Sequence, residues 1–240
     1  MCTVSFVPKS QGFYLAMNRD ENLDRFAAVA PKIVALGSRR AVFPCEPTGG
    51  TWISANDAGV CLALINWHRI DREPRHDVIS RGQVVRGLVG KSTADEIANG
   101  VMKLPLHKLR PFRLIAILPS AKALTEWRWN LEGLTMRNHE WQRQHWFSSG
   151  FNEERAERVR ERVCAVARDR QSLAGLRRLH RSHRPKRGPF SICMHRDEAA
   201  TVSYTEVAVS RRRATMRYKA GPCCSNGSTV TRAISLARSL

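Results

Sequence analysis

Cys2 is the residue around which the chemistry of this sequence can be built. It follows a single methionine and has a small side chain, so a methionine aminopeptidase is expected to remove Met1. The mature first residue then carries both a thiol, with a pKa of about 8.5, and an α-amine, with a pKa of about 7.7–8.0. An N-terminal amine can activate the nucleophile of its own residue. The start of the chain therefore predicts a thiol nucleophile that needs no histidine.

The run Asn18-Arg19-Asp20-Glu21 supplies charged partners for that thiol. Arg19 can favour the thiolate and so lower the pKa of Cys2. Asp20 can accept a hydrogen bond from the protonated α-amine and hold it in place. The ordinary alternative is that Cys2 is a small buried hydrophobe and that the run is a solvated turn.

A short hairpin would bring these residues together. Thr3–Val7 alternates polar and apolar residues and predicts a strand, Gln11-Gly12 is a turn signal, and Phe13–Met17 predicts the returning strand. The charged run therefore lies about one hairpin length from Cys2.

Apolar runs and alternation predict many further strands. They are Pro31–Gly37, Ala41–Phe43, Trp52–Ser54, Val60–Asn66, Phe112–Leu118, Leu124–Asn130, Leu134–Asn138, His145–Ser148, Phe190–Met194, Thr201–Val209 and Ala214–Lys219. Trp127, Trp129, Trp141 and Trp146 either line a ligand cavity or, as is more usual, belong to a core between sheets.

Residues at helical spacing predict helices between these groups of strands. Their bounds are Val78 to Val89, a second helix capped by Ser92, Glu153 to about Arg170, a shorter helix from Ser172, and Ser228 to Leu240. The buried stripe of the long helix is predicted as Ala156, Val159, Val163 and Val166 or Ala167. This order fits an α+β fold in which helical layers enclose two antiparallel sheets.

The bulk composition is that of a globular chain without a membrane span. The 240 residues show no composition break or long linker, so we expect one domain over residues 1–240. No run of eighteen or more apolar residues occurs, and the N-terminus lacks a secretory signal pattern. Seven scattered cysteines suit a reducing compartment, and we expect a cytoplasmic protein.

We predict no metal site and no cofactor from the sequence. There is no Cys-x-x-Cys pair, and the vicinal pair Cys223-Cys224 cannot form a zinc site by itself. His180 and His183 are three residues apart, but no third ligand is evident, so they are predicted to be surface residues.

The net charge of +19 is unusual and comes mostly from arginine. Such a charge attracts anionic ligands, anionic lipid or nucleic acid. The densest region comprises Arg155, Arg158, Arg160, Arg162, Arg168, Arg170, Arg177, Arg178, Arg181, Arg184, Lys186 and Arg187. It is predicted to be a solvated helix face. No recognised motif supports specific nucleic-acid binding beyond charge.

Three groups of motifs resemble known proteins over nearly the whole chain. Met1-Cys2-Thr3 with Tyr14–Glu21 looks like the NRDE family, which includes transport and Golgi organisation protein 2. Gly49–Val60, running into Leu62–Asn66, also resembles the cysteine N-terminal-nucleophile amidases of the penicillin V acylase and bile salt hydrolase group. A weaker match runs from Ser191–Arg196 through Thr201–Ser203 and Tyr218 to Gly221–Cys223.

The resemblance implies a four-layer αββα fold of the N-terminal-nucleophile hydrolase type. It also implies catalytic roles for Cys2, Asp20, Arg19 and Asn66, with Asn66 at the position of an oxyanion-hole asparagine. Such a donor is worth about 3 kcal/mol of transition-state stabilisation. The alternative for Asn66 is a cap of the turn before Trp67-His68.

The chain also departs from the amidase pattern. Aligning the asparagines matches Asp20 with the amidase aspartate but puts Met17 at the arginine position, so Asp20 is the firmer match. The amidases supply an asparagine before the long helix where this chain has Ser149, and Arg196 is the candidate for a late arginine. Asn18, Trp67, Ser149 and Arg196 are the predicted substrate-binding residues.

Two functions follow from the resemblance. The first is a hydrolase of a non-peptide amide bond, with Cys2 as the nucleophile and an anionic or amphipathic small molecule as the substrate. The second is a non-catalytic carrier of an anionic lipid-like ligand, such as acyl-CoA or haem, on the same fold.

Overall fold

Two antiparallel sheets stack face to face in the computed structural model, which describes residues 2–75, 77–169 and 171–237. The predicted removal of Met1 lies outside these residues. The first sheet has six strands in the order β10-β1-β2-β11-β12-β13. Its strands are β1 Cys2–Lys9, β2 Gly12–Asn22, β10 Gln144–Ser148, β11 Ala199–Val209, β12 Arg213–Ala220 and β13 Thr229–Ser235.

The second sheet has seven strands in sequence order, β3 to β9. Its strands are β3 Val29–Leu36, β4 Arg39–Cys45, β5 Ile53–Asn56, β6 Cys61–Asn66, β7 Phe112–Leu118, β8 Ala123–Trp129 and β9 Leu134–His139. The helices are α1 Gly82–Leu88, α2 Ala94–Met102, α3 Glu153–Val166 and α4 Leu173–His180, with a 3₁₀ turn at Leu106–Lys108.

The alternation of side chains on each strand creates three apolar layers. Between the sheets, Phe6 and Leu15 of the first sheet pack with Ile53 and Ile117 of the second. Helices α1 and α2 cover the outer face of the seven-stranded sheet, and α3 and α4 cover that of the six-stranded sheet. The predicted α+β arrangement of two antiparallel sheets between helical layers is therefore confirmed.

Most of the predicted strands are confirmed within a few residues. Phe112–Leu118 matches β7 at both ends, and the hairpin of Thr3–Val7 and Phe13–Met17 lies inside β1 and β2. The four tryptophans named above belong to the core and not to a ligand cavity, which is the more usual of the two alternatives. Trp127, Trp129 and Trp146 are buried in the apolar clusters, and Trp141 packs against the inter-sheet core.

Two predicted elements at the C-terminal end are wrong. Residues 229–235 form strand β13 instead of a helix, because β-branched Thr229, Val230, Thr231 and Ile234 favour the edge position beside β12. Residues 190–194 form no strand and run as an irregular loop.

Among the described residues, no helix is both long and apolar enough to cross a membrane.

The helices begin at or within a few residues of their predicted N-terminal positions. Asn152 and Ser172 cap α3 and α4 through side-chain oxygens that accept hydrogen bonds from Arg155 N and Gly175 N. For α2 the cap is Thr93 instead of Ser92, whose hydroxyl donates to the Glu96 carboxylate. Helix α1 begins at Gly82, four residues after the predicted start at Val78.

Glu126 on β8 is the centre of a buried ion cluster in the second sheet, next to the edge strand β9. Its carboxylate accepts hydrogen bonds from Arg113 and Arg128 at 2.5 and 3.0 Å, and its Oε2 lies 2.9 Å from the His139 ring. Burial opposes the ionisation of Glu126, but the two arginines outweigh it and lower the pKa to about 2.

We predict that Glu126→Gln lowers the free energy of unfolding by about 3–5 kcal/mol at pH 7, because the variant leaves buried Arg113 without its counter-charge. A pKa lowered on folding stabilises the fold above the unfolded value of about 4.3, and this contribution disappears as the pH falls towards 2. Urea unfolding of both proteins should therefore show a difference that narrows between pH 4 and pH 2. Glu132→Gln, which removes an exposed pair with Arg72, is the control and should change less than about 1 kcal/mol.

Candidate active site

Cys2 begins the strand β1, which is held on both sides by neighbouring strands. It lies opposite Ser148 of β10 and Arg19 of β2, and its side chain is 6% exposed. The side chain reaches the floor of a small cavity of about 120 Å³. The lining residues are Cys2, Arg19, Asp20, Glu21, Arg25, Glu46, Thr51, Trp52, Leu64, Asn66, Ile79, Ser80, Arg81, Gly82 and Arg110.

The run Asn18–Glu21 lies within β2 and is not a solvated turn. Arg19 reaches the cavity, where its guanidinium lies 4.3 Å from the centre of the Trp52 ring and donates to Glu46 at 2.8 Å. Asn18 instead faces the helical side of the sheet. Its amide donates to the backbone carbonyls of His180 and Ile192 at 3.0 and 2.9 Å, so it anchors the loop that follows α4.

Asp20 is buried beside Cys2 and is held from two directions. The Thr201 hydroxyl donates to Asp20 Oδ1 at 2.6 Å, and Arg160 Nη2 lies 3.7 Å from Oδ2. Burial raises the pKa of Asp20, while the Arg160 charge and the Thr201 hydrogen bond act in the opposite direction.

Burial also raises the pKa of the Cys2 thiol, and the neighbouring Asp20 charge adds to this effect. A hydrogen bond from the Asp20 backbone N–H and the charge of Arg19 oppose it. Arg19 lowers the pKa of Cys2, as the sequence suggested, but the effect of burial is larger. The thiol is therefore favoured over the thiolate at Cys2.

Arg160 belongs to the site and not to a solvated basic face, which corrects the prediction for this residue. It is fully buried on α3. Its Nη1 donates to the Ser148 carbonyl and to Thr3 Oγ1, both at 3.3 Å, so the guanidinium joins β1 and β10 underneath Cys2. The buried stripe of α3 is Glu153, Ala156, Arg160 and Cys164, whereas Val166 of the predicted stripe is exposed.

Asn66 and Arg81 line the cavity on the side of the second sheet and of helix α1. Asn66 is the last residue of β6 and is half-buried there. Arg81 lies just before α1. It is not among the predicted site residues, because it falls inside the helix predicted over Val78 to Val89, where an arginine gives no signal of a site. Burial and the charge of Arg110 lower the pKa of Arg81 to about 10.

Four arginines and three carboxylates line the cavity, and Arg81 differs from the rest of them. Arg19 and Arg25 are paired with Glu21 and Glu46, and Arg110 donates to Glu73 at 2.6 Å. Arg81 donates to the Pro111 carbonyl at 3.1 Å and makes no ion pair with any described residue.

The predicted substrate-binding residues Trp67, Ser149 and Arg196, like Asn18, do not line this cavity. The Ser149 hydroxyl donates to the Phe151 carbonyl and accepts from Phe151 N–H, so it shapes the loop before α3. Arg196 pairs with Glu198 and lies over the Phe151 ring. Trp67 lies below Arg128, whose guanidinium is 6.0 Å from the ring centre.

Comparison with protein families and solved structures gives a consistent result. A family model described as transport and Golgi organisation 2 matches residues 1–199. No curated protein matches the chain significantly. Among solved structures, penicillin V acylase from Agrobacterium tumefaciens superimposes with a TM-score of 0.53 at 8% identity, covering 96% of this chain and 85% of that one.

Two variants of conjugated bile acid hydrolase from Clostridium perfringens also superimpose. Each has a TM-score of 0.52 at 8% identity and covers 100% of this chain and 98% of its own. At such low identity the likeness shows a shared fold. The chain therefore has the fold of the N-terminal-nucleophile hydrolases, as the motifs predicted.

We predict that Arg160→Met lowers the free energy of unfolding by about 3–5 kcal/mol, because it leaves the buried carboxyl of Asp20 without its cation. Urea unfolding of the variant measures this loss. Combining it with Asp20→Asn should recover part of the loss, because the double variant no longer contains an isolated buried charge. Arg158→Met, at an exposed position of the same helix, is the control and should change less than about 0.5 kcal/mol. Equal losses in both arginine variants would contradict the pairing.

Proposed function

The chain belongs to the transport and Golgi organisation 2 family, and we propose that it is an amidohydrolase that uses Cys2 as an N-terminal nucleophile. The observation that carries the proposal is the position of the Cys2 thiol. It lies at the floor of a cavity that Arg19, Asp20, Asn66 and Arg81 also line, at the start of a strand fixed on both sides. The fold shared with penicillin V acylase and conjugated bile acid hydrolase supports the same chemistry.

The proposed reaction begins once Met1 has been removed and the α-amine of Cys2 is free. This amine accepts the thiol proton as the sulfur attacks the carbonyl carbon of the amide. The tetrahedral intermediate then collapses, the C–N bond breaks, and the leaving amine takes the proton from the α-ammonium. A water molecule hydrolyses the resulting thioester, which releases a carboxylic acid and restores the thiol.

The residues around Cys2 each have a separate role in the proposed reaction. Asn66 supplies a side-chain N–H to the oxyanion, and removal of such a donor typically lowers kcat by about 100-fold or more. Asp20 holds the α-ammonium, and Arg160 with Thr201 holds Asp20 in position. Arg19 stabilises negative charge at the mouth of the site, where the Trp52 ring and Glu46 fix its orientation.

The cavity favours a substrate with a small negatively charged group near the reacting amide. Arg81 is the arginine there that makes no ion pair with a described residue, and its N–H groups suit a carboxylate or phosphate. The volume of about 120 Å³ holds only the reacting end of a larger molecule, since pockets for drug-sized ligands usually measure about 300–1,000 Å³. The same size gives no particular support to the alternative of an acyl-CoA or haem carrier.

The cysteine chemistry agrees with a reducing compartment, and we propose a cytoplasmic location. All seven cysteines, each within the described part of the chain, are free thiols. A free thiol is required for the proposed reaction, and reducing conditions preserve it.

We predict that the mature protein begins at Cys2 and forms a covalent thioester with acyl amides. Intact-mass measurement should show the loss of Met1, and rapid quenching with an acyl amide should add the mass of the acyl group to an N-terminal peptide. Cys2→Ser should abolish the thioester and lower turnover by at least about 100-fold. Cys45→Ser, at a half-buried cysteine that does not line the cavity and packs against the apolar cluster on the outer face of the seven-stranded sheet, should leave both unchanged. A ligand-induced thermal shift that survives Cys2→Ser, with no turnover in the native protein, would instead support the carrier alternative.

We predict that Arg81→Gln weakens the use of anionic amides selectively. For an acyl amide that carries a carboxylate, kcat/KM should fall by about 10–100-fold, which corresponds to a charge-assisted hydrogen bond of about 1.5–3 kcal/mol. A neutral amide of the same size should be affected less than about threefold. Arg25→Gln, which removes an exposed arginine already paired with Glu21 and Glu46, is the matched control. Equal losses on both substrates would show that Arg81 acts through the fold instead of through the ligand.

A further inference from the structure

Two irregular segments meet on the helical side of the six-stranded sheet, away from the Cys2 cavity. One is the loop between α4 and β11, and the other is the turn that follows β12. Four side chains converge where they meet, namely His183, Cys193, His195 and Cys224. One nitrogen or sulfur atom from each lies within 4.8 Å of all the others.

We propose that these four residues bind one Zn²⁺ ion, which fastens the loop to the turn. A tetrahedral zinc site has Zn–N bonds of about 2.0–2.1 Å and Zn–S bonds of about 2.3 Å. Its ligand atoms are therefore separated by about 3.3 Å for two nitrogens and about 3.6 Å for nitrogen and sulfur. The observed separations are 3.2 Å between His183 Nε2 and His195 Nε2, and 3.5 and 3.4 Å from His195 Nε2 to the sulfurs of Cys193 and Cys224.

The ligand set determines the kind of ion and its role. Two thiolates and two imidazoles are a set that zinc prefers, and they balance its double positive charge. Four protein ligands leave no open coordination position, so the ion is structural and does not activate water. Cys193 is fully buried and the other three residues are half-buried, which shields the bonds and still gives an ion access from the surface.

Neighbouring groups would hold the ligands in place, as is usual around structural zinc. The Cys193 backbone N–H donates to the Ser182 carbonyl at 3.0 Å, next to the ligand His183. The Cys223 thiol donates to the His180 carbonyl at 2.6 Å, and this fixes the turn that carries Cys224. Arg187 Nη2 lies 3.2 Å from His195 Nδ1 and must turn away when that nitrogen carries the proton, which its exposed position allows.

The proposed ion is linked to the site of Cys2 by consecutive hydrogen bonds. Next to Cys193, the Met194 backbone N–H donates to Thr201 Oγ1 at 2.9 Å, and the Thr201 hydroxyl donates to Asp20. An ion that fixes Cys193 would therefore also fix the hydroxyl that orients Asp20. The effect on catalysis rests on the proposed function, whereas zinc binding itself does not.

The first test measures metal in the purified full-length protein. After expression with zinc and extensive dialysis, we expect about one zinc ion per chain. Zinc should be lost in Cys224→Ser and in His183→Ala, and retained in Cys45→Ser, which removes a half-buried cysteine outside the cluster. Removal of zinc with a chelator should lower the Tm by roughly 5–10 °C in the native protein and in Cys45→Ser.

A second test remains informative if the variants fail to fold. Co²⁺ added to the native apoprotein should give the thiolate-to-cobalt absorption and the intense visible bands of a tetrahedral sulfur-containing site, and Zn²⁺ should remove them. Absence of these bands together with a zinc content near zero would overturn the proposal. A disulfide between Cys193 and Cys224, found by peptide mapping of protein purified without reductant and not prevented by added zinc, would also overturn it. Zinc binding without amidase activity would support the zinc site and contradict the proposed function.

Discussion

The buried pair of Asp20 and Arg160 is the constraint on which the site of Cys2 depends. Neither side chain has access to water, and burying an isolated charge is costly enough that each requires the other. Arg160 comes from α3 on the helical side, and Asp20 lies near the C-terminal end of β2. The pair therefore fixes the helix to the sheet at the point where β1 begins. Hydrogen bonds from Arg160 to Thr3 and to the Ser148 carbonyl extend this link to β1 and β10.

The two-sheet architecture explains why a reactive residue can be both fixed and reachable. A residue at the first position of an inner strand is held by hydrogen bonds on both sides, yet it lies at the end of the sheet. Cys2 has this place between β10 and β2, and the second sheet contributes Asn66 from the end of β6 across the gap. The inter-sheet core begins at Val4 and Phe6 on the same face of β1. The cavity can therefore be only shallow, because the apolar core closes it from below.

Much of the fold followed from residue patterns whose cause is local. Alternation predicted β1, the turn signal at Gln11-Gly12 predicted the return into β2, and the continuous apolar run Val60–Ile65 predicted β6. Each pattern is local, because burial of one strand face or of both determines which residue types a strand contains. The site was predictable only in part. Cys2 and the run Asn18–Glu21 are close in the chain, so a hairpin could place them, whereas Arg160 and Arg81 reach the same region from distant elements.

The errors have physical reasons as well. In the sequence, Arg160 cannot be distinguished from the exposed arginines near it. Its burial is favourable because of the carboxylate of Asp20, which lies 140 positions earlier in the sequence. The buried stripe of α3 consequently contains Arg160 in place of the predicted Val159, whereas Ala156 is buried as predicted and Val163 and Ala167 are partly buried. At the C-terminal end, helical spacing of apolar residues competed with β-branched residues, and pairing with β12 decided in favour of a strand. His180 was predicted to be exposed but is buried, since it bonds Asn18 and Ser5 on the neighbouring sheet.

The loop between α4 and β11 shows how an irregular segment can be as constrained as a strand. Buried backbone groups need hydrogen-bond partners, and a loop without a ladder must obtain them from side chains. The Asn18 amide donates to the carbonyl of His180, the last residue of α4, and to that of Ile192 in the loop, and Thr201 Oγ1 accepts from the Met194 N–H. Asn18 lies on β2, the strand that carries Asp20, and Thr201 lies opposite Asp20 on the neighbouring strand β11. The loop and the site thus share their supports, so any group that tightens the loop between Ser182 and His195 also limits the movement of Asp20.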